Sequence, residues 1–224
     1  SYFNPVNRTS MATNSTQSER LLESWRATAF TVAGIIFAAD AAVLVVNLAA
    51  GTQNQYMTLG QAFIGAAWTA GFIGLLGFYP ALDARNRWLA RSGGVFAVVG
   101  LVTNLIMAAV SLGLFAGVLG GTLRDYTPYF LPGMFPGIVL GCGLYGIATL
   151  RNPTYRRSVG LLFVLLVLTF LFNLGTGIAG FNPVSKILGV VIVLTLTNLV
   201  LGYMLRTGSA LSTQAELSPH DSTS

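Results

Sequence analysis

Long apolar runs separated by short polar or charged breaks dominate the sequence, without the strict alternation of half-buried strands. Crossing a hydrocarbon core of about 30 Å takes roughly 20 apolar residues as a helix. Six runs reach or approach that length, over residues 27–50, 57–80, 93–120, 129–150, 158–180 and 184–205. Transmembrane β-strands would give short segments of alternating polarity instead. The pattern predicts an all-α integral membrane protein of six transmembrane helices, with the helical domain over 27–205. A polar tail over residues 1–26 and another over 206–224 are too poor in apolar residues to form a packed core. Met11 is a candidate start site, which would make residues 1–10 upstream sequence. The first apolar run is too long for a signal-peptide h-region and lacks a small-x-small site behind it, so it reads as a retained helix.

Composition supports this picture. Of the 224 residues 54% are hydrophobic and only 8% charged, against about a quarter charged in soluble proteins. The formal net charge of +5 does not point to nucleic acid, because the basic residues cluster in short breaks beside apolar runs. There they act as orientation signals, since positive loops stay cytoplasmic. Arg8, Arg20, Arg26, Arg85, Arg87, Arg91, Arg151, Arg156, Arg157 and Arg206 fall on one side, and only Arg124 and Lys186 on the other. Both termini are therefore expected in the cytoplasm, with the chain in the cell membrane. Trp25, Tyr79, Trp88, Tyr145, Tyr155 and Tyr203 would form an inner aromatic belt, and Tyr56, Tyr126 and Tyr129 an outer one. The sequons at Asn7 and Asn14 then lie on the wrong side for glycosylation.

Sliding the chain by 66 residues aligns Gly77, Tyr79, Arg85, Asn86, Arg91, Ser92 and Gly94 with Gly143, Tyr145, Arg151, Asn152, Arg157, Ser158 and Gly160. Three parallel two-helix repeats would follow if the last pair is a further copy. Apolar low-complexity sequence also matches itself easily, so the repeat competes with chance.

Asp40 is the only acidic residue deep in an apolar run, and intramembrane ionisable groups often mark ion or substrate pathways. Asn47, two turns on, shares its helix face. Asn104, Asn173 and Asn198 complete the candidate polar site, with Thr195 as a further polar neighbour. The plainer alternative is polar glue between helices. In the fourth run Pro128, Pro132 and Pro136 alternate with Gly133, Gly137 and Gly141 at four-residue spacing. Prolines there remove backbone donors, so the segment is either a broken helix lining a site or a small-residue packing face. Gly113, Gly117 and Gly121 form a second stripe of that kind.

Several chemistries are excluded by residue type. The one histidine, His220, lies in a tail, which removes bis-histidine haem ligation, most intramembrane metal sites and His-Glu-x-x-His proteases. A serine or cysteine nucleophile such as Cys142 would have only Asp40 for a base, and a paired-aspartate hydrolase lacks its second carboxylate. No enzyme activity, cofactor or metal is expected. The expected partners are the lipid bilayer and other membrane subunits or further copies of the chain, and not nucleic acid. Two functions remain: a non-enzymatic subunit or scaffold of a membrane complex, or a small carrier or channel for an ion or a small or lipophilic solute. A carrier should gather Asp40, asparagines and the broken fourth helix around one cavity; a subunit should have a dry interior and an outward apolar groove.

Overall fold

The computed structural model describes residues 6–51, 53–181 and 183–211. Its helices are α1 (Val6–Ala50), α2 (Gln53–Leu76), α3 (Tyr79–Asp83), α4 (Arg87–Phe115), α5 (Leu123–Pro136), a π-helical turn (Gly137–Cys142), α6 (Gly143–Arg151), α7 (Arg157–Ile178) and α8 (Val184–Arg206). Six stretches are long and apolar enough to cross a membrane: Trp25–Ala50, Thr58–Leu76, Arg87–Phe115, Leu123–Arg151, Arg157–Ile178 and Val184–Arg206. The α5, π-turn and α6 pieces together make the fourth.

Most element ends differ from the apolar boundaries for local reasons. The α1 backbone is helical from Val6, through most of the polar N-terminal tail. The second stretch stops at Leu76, because the chain turns at Gly77 and Phe78 and restarts as α3 with Pro80 in its first turn, where proline is tolerated. The fourth begins at Leu123, six residues before its apolar run, because Asp125 Oδ2 accepts hydrogen bonds from the Thr122 N–H (2.8 Å) and hydroxyl (2.9 Å). That closes the first turn. The third ends at Phe115, five residues early. Gly117 takes φ +70°, and the Val118 N–H reaches Gly113 O while Gly117 N–H reaches Leu114 O, a Schellman stop. Gly117 and Gly121, at φ +89°, are therefore turn glycines and not a packing stripe. Gly180 closes α7 in the same way, with Phe181 N–H on Thr176 O.

The six stretches form a closed ring in chain order, each packing on the next and α8 returning to α1. Among the described side chains, the exposed arginines other than Arg124 gather at one end, called here the arginine end. Packing between elements is by small residues. On α4 the buried positions are Ala90, Gly93, Gly94, Ala97, Gly100, Asn104, Met107 and Ser111. Val95, Val98, Val102, Leu105, Ile106 and Leu112 face outward. This inverts a soluble helix, and it suits helices whose outer faces meet lipid while small residues let backbones approach. Large aromatics fill the centre. Phe30, Phe78 and Phe163 form a triangle with centroids 5.3–6.3 Å apart near the arginine end. Trp68 sits deeper, with Phe37 at 6.0 Å and Phe170 at 6.5 Å.

Candidate functional site

Asp40 is fully buried on α1, on the face that carries Ala33, Phe37 and Leu44. Asn47, two turns on, donates its amide to Val43 O at 2.8 Å. Asn104 on α4 and Asn198 on α8 do the same, to Gly100 O and Leu194 O, both at 2.8 Å. Thr195 donates to Val191 O. Each of these side chains answers a carbonyl four residues earlier on its own helix, a bond that needs no neighbouring helix. The fifth candidate, Asn173, is exposed near the end of α7. Of the five candidate residues, only Asn173 lines the cavity described below.

The fourth stretch resolves into two faces. Gly133, Gly137 and Gly141 lie against α4: an added Cβ would strike Thr103 at Gly133 and the Gly100 backbone at Gly137, and would lie 3.2 Å from Ala97 N at Gly141. These glycines serve close helix approach. Pro128 and Pro132 are exposed and Pro136 is half-buried. Since Pro132 and Pro136 cannot donate to the carbonyls of residues 128 and 132, the ladder weakens along that side. The chain relaxes into the π-helical turn directly after Pro136. The break has a packing consequence. Beyond it α6 lies against α7, with Gly146 against the Gly160 carbonyl, whereas before it α5 follows α4.

Between these diverging segments lies a cavity of about 110 Å³, walled by α2, α4, α5, α7 and α8. Gln61, Trp68, Met107, Met134, Phe170 and Asn173 are among its lining residues. Of the candidates from the sequence, Asn173 reaches it and Asp40 does not; the proline and glycine segment contributes only Met134. A second concavity of about 600 Å³ opens outward beside α2, α3 and α4. Val95, Val98, Val99 and Leu76 form its floor, with Arg91 and Tyr79 at one end. Arg91 Nε is 3.5 Å from Asp83 Oδ1.

Two clusters were not foreseen. Arg26, expected as a surface orientation signal, is only 6% exposed; its Nη1 donates to Tyr155 Oη at 2.9 Å, and its guanidinium lies 4.9 Å from the Phe78 ring centre. The paired rings and charge tie α1 to the turns before α3 and α7. Tyr155 and Tyr145 are buried and so belong to no interfacial belt; Tyr145 packs under Gly93. Trp25, Trp88, Tyr203 and Tyr129 are exposed, as a belt requires, while Tyr56 lies among residues whose side chains are not described. At the other end Lys186 is buried, and its ammonium donates to Asn173 O at 3.3 Å and Phe181 O at 3.2 Å. A cation there suits the carbonyl-rich end of α7. No protein-family model, curated protein or solved structure matches the chain.

Proposed function

We propose that the protein is a six-span protein of the cell membrane, both termini cytoplasmic, that acts as a non-enzymatic subunit or scaffold of a membrane complex. The observation that carries this is the scatter of its polar groups. Asn47, Asn104 and Asn198 each bond their own helix, and Asp40 stands apart from the cavity. An ion path needs several ligands converging on one point. The outward groove beside α4 gives an apolar partner helix or a second copy a place to lie, with Arg91 at its end. Orientation rests on the arginine end, which the positive-inside rule puts in the cytoplasm. The closed ring order supports the 66-residue repeat, because three two-helix units about one axis would produce it.

The carrier reading draws on one observation, the cavity that Met134 of the broken stretch shares with Asn173. It suits a lipophilic solute better than an ion, since most of the wall is apolar. Purification of the tagged protein from its native membrane in mild detergent, with mass spectrometry of what accompanies it, separates the two. A stoichiometric partner supports the subunit reading. Recovery of the chain alone rejects a hetero-complex, and loss of solute uptake in an Asn173→Leu variant would then replace that reading with the carrier.

A further inference from the structure

We infer that the cavity between α2, α4, α5, α7 and α8 binds a compact lipophilic molecule, a single ring bearing one hydrogen-bonding oxygen. This goes beyond the subunit reading and does not rest on it, because a subunit and a carrier could equally hold such a molecule. Size sets the first limit. The cavity measures about 110 Å³, and an apolar cavity of about 150 Å³ in another protein stays dry and takes up benzene. The wall can yield somewhat, since Met107 and Met134 are unbranched and polarizable and fill irregular space.

Chemistry sets the second limit. Trp68 and Phe170 meet edge to face, at 85° with centroids 6.5 Å apart, and offer a ring the contacts it prefers. Ile64, Val190 and Leu194 add apolar wall. Against this stand two amides from different helices, Gln61 on α2 and Asn173 on α7. Among the described residues neither side-chain amide is hydrogen-bonded within the protein. An apolar pocket with a few placed polar groups is the usual form of a small-molecule site, the apolar part supplying affinity and the polar part orientation. The wall also has a structural cause. The fourth stretch lies on α4 throughout and packs on α7 only from the π-helical turn after Pro136 onward, so the space opens where α5 leaves α7 uncovered. On α4, Asn104 Oδ1 and Ser111 Oγ, one turn before and one turn after Met107, are buried without a hydrogen-bond partner among the described residues, although neither residue lines the cavity.

The test uses the full chain in detergent micelles with 13C-methyl methionine. Of the five methionines, Met107 and Met134 line the cavity, whereas Met204 lies near the arginine end. Titration with 4-fluorophenol should shift the Met107 and Met134 methyl signals saturably and leave Met204 unmoved. Fluorobenzene, which lacks the oxygen, should give the same pattern with roughly threefold to tenfold weaker affinity, the worth of one hydrogen bond. Replacing both amides, Gln61→Leu with Asn173→Leu, should bring 4-fluorophenol down to the fluorobenzene level. Shifts that fail to saturate, or that reach Met204 equally, would mean partition into the micelle and would overturn the site. Equal affinity of the two probes in the wild type would overturn the oxygen-bearing class.

Discussion

The two ends of the bundle are built differently although the sequence looks equally apolar throughout. At the arginine end specific contacts tie the elements to one another. Arg26 joins Tyr155 and stacks on Phe78, the Arg156 N–H donates to Ala210 O at 2.8 Å, and Gly146 rests on Gly160. At the far end α4 and α7 stop at glycine turns, α5 packs on α4, and the cavity fills the gap beside α7. One proline-rich stretch makes this difference: it bends once, and the helix on one side of the bend keeps a neighbour that the helix on the other side loses. Rigidity and room for a ligand thus come from opposite halves of the same bundle.

Substitutions at three positions test that contrast. The largest effect is expected from Gly137→Leu, whose Cβ would meet the Gly100 backbone, a contact no rotamer can relieve. Overpacking at a backbone contact should cost about 3 kcal/mol. The midpoint of unfolding in detergent should fall accordingly, and an unchanged midpoint would mean that α5 is not held to α4 here. Arg26→Ala comes next, at about 2 kcal/mol for a buried hydrogen bond from a charged group. Arg26→Lys should recover only part of this, because an ammonium lacks the planar stack; full recovery in a melting curve would make the clamp a matter of charge alone. The smallest is Asp125→Ala, which removes the carboxylate half of the capping box at an exposed helix start. Amide exchange should then quicken in the first turn of α5 and leave α7 untouched. Quickening that reached α7 would show the two segments coupled and the contrast overstated.

The number of helices was legible because a run of apolar residues long enough to span is a signal of length, not of pattern. The packing was not. Where lipid and protein interior are both apolar, Val98 on the outside and Met107 on the inside of α4 look alike, and only small residues such as Gly93, Ala97 and Gly100 mark the inner face. Tyr145 and Tyr155 read as interfacial because aromatics near helix ends usually are. Their burial depends on Gly93 and Arg26, which come from other helices. The asparagines read as a possible cluster, and the bonds that occupy Asn47, Asn104 and Asn198 lie within their own helices, invisible to any argument from spacing between spans. Met134 and Gln61 on the cavity wall carried no signal, since neither residue type stands out until the bend after Pro136 is known.

Lys186 has a practical consequence for anyone mapping the neighbours of this protein. It is the only lysine on the chain, and its ammonium is turned into the junction of α7 and α8. Amine-directed cross-linkers will therefore find no surface lysine, and their silence says nothing about company. The same burial makes the residue a reporter: acylation at position 186 should track the opening of that junction, while glyoxal reagents read the arginines at the other end.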